Sequence, residues 1–131
     1  ADEIGMYDDD PLSRIGYQKF QLFQTNRCIA DTGIHAMKWT REQAIRQFVD
    51  SEGEAPGFAA REVERYCVSP GQACSYKIGH TVWVNPRERT KAALGAKYSI
   101  KNFHDAGLNC GRVPLDVLDG VISRYIASAK A

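Results

Sequence analysis

Apolar residues recur at helical spacing almost from end to end of this chain, and that periodicity constrains the fold more than any other feature. It is cleanest near the C-terminus, where Leu115, Leu118, Val121, Ile122, Tyr125 and Ile126 trace one amphipathic stripe behind Pro114. A proline at a first helical position costs nothing, because that N–H has no intrahelical partner anyway. The one strand-like run, Val82-Trp83-Val84, has no partner of similar quality and reads as continuing helix, kinked at Pro86. The fold expected is therefore all-α: about six helices in an irregular bundle, forming a single helical domain over residues 1–131.

Local signals set the helix boundaries. Residues 1–10 form an acidic, irregular entry, with Asp8, Asp9 and Asp10 as a solvated cap before Pro11. The first helix is predicted from about Pro11 to Ala30, with Leu12, Ile15, Phe20, Phe23 and Cys28 along its apolar stripe. Gly16 within it suggests a close helix contact, since glycine costs about 1 kcal/mol against alanine in a helix. Asp31-Thr-Gly33 reads as a turn. Thr40-Arg-Glu-Gln43 has the form of a capping box and opens a second helix to about Asp50. After the break at 51–57, further helices are predicted at Phe58–Val68, from about Gln72 through Leu94, and at Ile100–Asn109, before the last one behind Pro114.

Composition excludes several function classes. The chain carries 17 Lys and Arg against 16 Asp and Glu, a net charge of +1. Such a balance lacks the concentrated basic excess of a nucleic-acid or membrane-surface binder. Arg87, Arg89 and Lys91 read as a solvated helix face. No apolar run has the roughly 18 residues of a membrane span, and the acidic N-terminus lacks the basic-then-apolar order of a signal peptide. Neither nucleic acid nor membrane is expected as a partner. Cys28, Cys67, Cys74 and Cys110 show no zinc-knuckle spacing and read as buried thiols.

No complete catalytic set is visible, and the histidines His35, His80 and His104 lack a ligand spacing. Four residues still carry chemistry. His35, after the predicted turn, suits either a donor to a developing oxyanion or a helix-end group satisfying backbone carbonyls. Gln72 and Tyr76, one turn apart behind Pro70-Gly71, can present an amide and a phenol to one ligand, or serve interhelical hydrogen bonding. Arg65 beside Tyr66 suits a substrate carboxylate, or an ion pair with Glu62 or Glu64.

Six strings occur in order: Met6-Tyr-Asp-Asp-Asp-Pro-Leu-Ser-Arg-Ile-Gly16, Asp31-Thr-Gly-Ile-His-Ala-Met-Lys-Trp-Thr-Arg-Glu-Gln-Ala44, Glu62-Val-Glu-Arg-Tyr66, Pro70-Gly-Gln-Ala-Cys-Ser-Tyr-Lys-Ile-Gly79, Phe103-His-Asp105 and Pro114-Leu-Asp-Val-Leu118. Together they resemble the C-terminal part of the bacterial proteins called domain of unknown function 885. The resemblance implies a helical fold related to gluzincin-type zinc metallopeptidases, several hundred residues long, whose zinc motif precedes the region matched. It implies that this chain is the wall of the cleft facing the metal. Zinc then belongs to the intact parent enzyme and no metal is expected on this chain alone. Tyr76, and after it His35, become the candidate catalytic oxyanion donors, with Arg65 and Gln72 as substrate-binding residues. Cys74, His80 and Pro86 depart from the family pattern, so the helix after Tyr76 is expected to bend differently.

The partners implied are the N-terminal metal-binding part of the same protein and, in the parent, a peptide substrate. A homo-oligomer formed through the uncovered surface is a further expectation, and the chain alone is not expected to hydrolyse peptides. The competing expectation is a non-catalytic helical binding or oligomerisation module. Periplasmic and cytoplasmic locations both stay open.

Overall fold

A computed structural model describes residues 2–130. It contains six α-helices: α1 (Pro11–His35), α2 (Arg41–Glu52), α3 (Pro56–Val68), α4 (Cys74–Leu94), α5 (Ile100–Leu108) and α6 (Leu115–Lys130). Short 3-10 turns occupy Asp2–Ile4 and Gly95–Lys97, and no strand occurs among the described residues. The fold is all-α, as the periodicity requires. No helix among the described residues is long and apolar enough to cross a membrane. The chain divides into two compact units, Ala1–Lys77 and Ile78–Ala131, with the boundary inside α4.

In the first unit α1, α2 and α3 pack on one another. Their shared core holds Ala30, Ala44, Phe48, Ala59, Val63, Tyr66 and Ala73, all fully buried, with Phe23, Ile34, Trp39, Ile45 and Val49 against it. The alanines bring the helices close, and the aromatic rings of Phe23, Phe48 and Tyr66 fill the remaining volume as tilted pairs about 6 Å apart. One polar residue is built into this packing. Asn26, on α1, donates to Ser51 Oγ at 2.7 Å and to Glu52 Oε1 at 2.6 Å, and accepts from Gln47 Nε2 at 3.1 Å. It thus ties α1 to the last turn of α2 with its amide hydrogen-bonded at both ends.

The helix ends follow the sequence signals closely. Asp10 caps α1, its Oδ1 accepting from the Ser13 amide at 3.0 Å. Interactions with Ser13, first its side chain and then its backbone amide, hold the Asp10 carboxyl below the usual carboxylate range. The α2 capping box is complete: Thr40 Oγ1 accepts from the Gln43 amide, and Gln43 Oε1 accepts from the Thr40 amide. Gly53 closes α2 at φ +65, a left-handed conformation natural to glycine.

Three expectations need correction in this unit. First, Asp31-Thr-Gly33 is not a turn; α1 continues through it to His35. Gly33 serves close approach rather than chain reversal, because a Cβ built there would lie 2.3 Å from Trp39 Cε3. Second, Gly16 makes no close helix contact, with nothing within 4 Å of a Cβ. Third, the N-terminal half of α1 is apolar but uncovered: Leu12, Ile15 and Phe20 are 79%, 60% and 55% exposed. Farther along the predicted stripe Phe23 packs on the core and Cys28 is partly covered.

The second unit is smaller. Phe103, Leu118 and Ile122 form its core, with Val82, Trp83, Tyr98 and Ile126 packed around them. Trp83 meets Phe103 edge-on at 6.0 Å. Gly107 on α5 allows this, since a Cβ there would lie 2.6 Å from Trp83 Cη2. Val82-Trp83-Val84 is helical, and Pro86 sits within α4 with its carbonyl accepting from Thr90 Oγ1 at 2.7 Å. Arg89 is not simply solvated; it pairs with Asp119 on α6 at 2.9 Å, an exposed pair worth about 0–1 kcal/mol. The cysteines are free thiols but less buried than expected: Cys67 is exposed, and Cys28, Cys74 and Cys110 are partly covered.

Candidate substrate-binding face

The C-terminal half of α1 carries Gln24, Arg27, Asp31 and His35 at spacings of three and four, which place them along one helix face. All except His35 are buried. That face meets the end of α3, the turn at 69–73 and the first residues of α4, all within the first unit.

Asp31 fixes the turn. Both its carboxylate oxygens accept from the Gly71 amide, each at 3.0 Å. Gly71 has φ +80, which explains why glycine stands there. His35 Nε2 lies 3.0 Å from the Tyr66 carbonyl. A carbonyl only accepts, so Nε2 carries the hydrogen, and its donor capacity is committed to the backbone. This is the carbonyl-satisfying arrangement; the other ring nitrogen, Nδ1, becomes a donor only in the imidazolium.

Arg27 is the centre of the face, and sequence reasoning missed it. The residue is only 6% exposed. Its Nη1 donates to Gln24 Oε1 at 3.1 Å and its Nη2 to Gln72 Oε1 at 3.3 Å. Its guanidinium lies over the Tyr76 ring at 4.4 Å and toward the Phe23 ring at 5.6 Å. Its Nε is buried without a hydrogen-bond partner. No carboxylate among the described residues forms an ion pair with it.

Arg65 approaches the same amide from α3. Its Nη1 donates to Gln72 Oε1 at 2.8 Å, while Nη2 and Nε reach Glu62 at 2.7 and 3.4 Å. Glu62 also accepts from the Tyr66 hydroxyl at 2.9 Å. Burial pushes the Glu62 carboxyl up, but the bonds from Arg65 and Tyr66 and the charges of Arg65 and Arg27 outweigh it and hold it below its usual value. Arg27 contributes least of these. The ion pair raises Arg65 above its ordinary value, and burial together with Glu62 raises the Tyr66 phenol.

Of the four predicted site residues, Arg65, Gln72 and Tyr76 are therefore brought together, through Arg27. His35 stands one step away, against the Tyr66 carbonyl and 3.9 Å from Asp31 Oδ1. Gln72 stands in the turn before α4 rather than on the helix itself, so it meets Tyr76 at Arg27 and not as a helical neighbour. The Tyr76 hydroxyl has no hydrogen-bond partner among the described residues, and the residue is half exposed. The arrangement offers guanidinium and phenol donors to a ligand oxygen. The helical polar series Gln24, Arg27, Asp31 and His35 is the sequence signal that could have identified Arg27. Among the described residues no three His, Cys, Asp or Glu side chains cluster as metal ligands.

The geometry can be set beside known proteins. No curated protein matches the chain. A structure described as a putative lipoprotein from Colwellia psychrerythraea is 40% identical and superimposes with a TM-score of 0.92. The match covers 96% of this chain but 22% of that protein, so the chain spans about a fifth of its structural relative. The family model of the bacterial proteins of unknown function DUF885 matches residues 1–122. The chain belongs to the DUF885 family.

Proposed function

We propose that this chain is the C-terminal, substrate-binding wall of a larger zinc-dependent peptidase, whose metal site is built by residues outside it. The observation that carries this reading is the convergence of Arg27 and Arg65 on Gln72 under the Tyr76 ring. A partly exposed Arg65 and a half-exposed phenol, backed by the buried Arg27, are suited to holding a peptide's carbonyl or carboxylate oxygens. The role of this chain is then to bind and orient: Arg65 and Gln72 position the substrate, and Tyr76 donates its hydroxyl to the oxygen on which charge develops. His35 holds the end of α3 through the Tyr66 carbonyl and acts as a donor only when protonated at Nδ1. Zinc, held by residues outside this chain, would supply activation of water and carbonyl in such an enzyme.

The uncovered half of α1 supports the same reading. Leu12, Ile15 and Phe20 give an apolar face of the kind that packs against another body, and the relative matched above is more than four times as long as the matched region. We assign this face to the remainder of the protein.

The test uses the full-length parent protein loaded with zinc and a mixture of short peptides. Hydrolysis that falls at least tenfold in kcat for Tyr76→Phe, with KM little changed, supports the reading. A parent protein that binds peptides without cleaving them makes the chain a non-catalytic binding module instead.

A further inference from the structure

Arg27 is a buried cation held by neutral partners, and that is the least explained feature of the molecule. Its bonded oxygens belong to Gln24 and Gln72, and its Nε has none. A buried charge without a counter-charge is costly, and such groups are normally paired. The two nearby carboxylates are engaged elsewhere: Glu62 by Arg65 and Tyr66, Asp31 by the Gly71 amide. Glu62 therefore reaches Arg27 only through its charge, and neither carboxylate gives the Arg27 guanidinium a hydrogen bond.

Gln72 shows what the two cations are arranged to hold. Its Oε1 receives Arg65 Nη1 at 2.8 Å and Arg27 Nη2 at 3.3 Å. A side-chain amide has the planar shape of a carboxylate but no charge. We infer that Arg27 and Arg65 form a subsite for a ligand carboxylate, such as the free C-terminus of a peptide, and that the Gln72 amide is its built-in stand-in.

Access fits this role. Gln72 is exposed and stands in a turn that Asp31 anchors independently through Gly71, so its side chain can swing away without moving the turn. Doing so opens Arg27 to solvent between Arg65 and Tyr76. The Tyr76 ring, stacked at 4.4 Å, keeps the Arg27 plane oriented. Its hydroxyl is available to the incoming group. A planar acceptor shared between two guanidiniums suits a carboxylate better than a tetrahedral phosphate, which would require donors from more directions. The inference deepens the cleft-wall reading by naming the substrate class.

The experiment uses the 131-residue chain with N-acetylalanine, its amide N-acetylalaninamide and inorganic phosphate as probes. Binding is read by side-chain NMR shifts of Arg27, Arg65 and Gln72. The acid is expected to bind saturably and the amide not at all. Gln72→Ala removes the internal competitor and is expected to tighten the acid by about tenfold. Gln72→Glu supplies the missing charge, and is expected to raise Tm by several degrees and abolish acid binding. Equal binding of acid and amide, or a Gln72→Glu variant no more stable than the parent chain, would overturn the subsite. Phosphate binding as tightly as the acid would overturn the carboxylate assignment. Because Arg27→Met can fail to fold, the two Gln72 variants carry the test. Their readouts are stability and binding, so their failure is separate from a failure of the full-length protein to hydrolyse peptides.

Discussion

Asp31 on α1 receives the amide hydrogen of Gly71, forty residues later, at 3.0 Å from each carboxylate oxygen. This single bond fixes the turn that presents Gln72 and starts α4. Asp31→Ala removes a buried, charged acceptor and should destabilise the first unit by about 1.5–3 kcal/mol. Asp31→Asn, which keeps one acceptor, should lose less. Urea denaturation gives the cost, and amide exchange at Gly71 should quicken in both variants.

The acid limb of stability should depend on Glu62. Its carboxyl is held below its ordinary value in the folded chain, despite burial, by Arg65 and Tyr66. The sign follows from linkage: the stabilisation is complete above the ordinary carboxylate range and is lost as pH falls through the lowered folded value. Glu62→Gln should lower Tm at pH 7 and flatten its fall toward pH 3. Thermal melts of both proteins across that range provide the comparison, and parallel curves would remove Glu62 from the account.

Two glycines of the same helix should respond in opposite senses to alanine. Gly33→Ala drives a methyl to 2.3 Å from the Trp39 ring, and overpacking of this kind costs about 1–3 kcal/mol. Gly16→Ala meets nothing within 4 Å and should gain up to about 1 kcal/mol from helix propensity. Denaturation midpoints of the two variants test the pair together.

The uncovered face of α1 should make the separate chain self-associate. Replacing Leu12, Ile15 and Phe20 together by Gln should abolish that association while leaving the denaturation midpoint nearly unchanged, because none of the three packs on the core. Light scattering over a concentration series distinguishes this from a chain that is monomeric throughout.

Features governed by local chemistry were legible in the sequence. The Thr40–Gln43 capping box, the Asp10 cap and the Leu118–Ile122 core of α6 all stand where their residue types place them. Gly33 was misleading because glycine ordinarily punctuates a helix; its reason for being there is the Trp39 ring, six residues later and invisible to a local reading. The apolar stripe from Leu12 to Phe20 was legible as apolar, but periodicity does not say what covers it. The family resemblance marks Arg65 and Gln72 as substrate-binding candidates and Tyr76 as a catalytic donor, and the structure brings the three together. Their meeting point, Arg27, was not foreseen, because a lone arginine in a polar stretch of helix looks solvated until the elements that enclose it are in place.

The two glycine–indole contacts have a practical outcome. The chain has two tryptophans; Trp39 rests on Gly33 in the first unit and Trp83 on Gly107 in the second. Each unit thus contains its own fluorophore, seated directly on its backbone. Phenylalanine at one position or the other would leave a single tryptophan, and unfolding of either half could be followed by its emission without attaching a label.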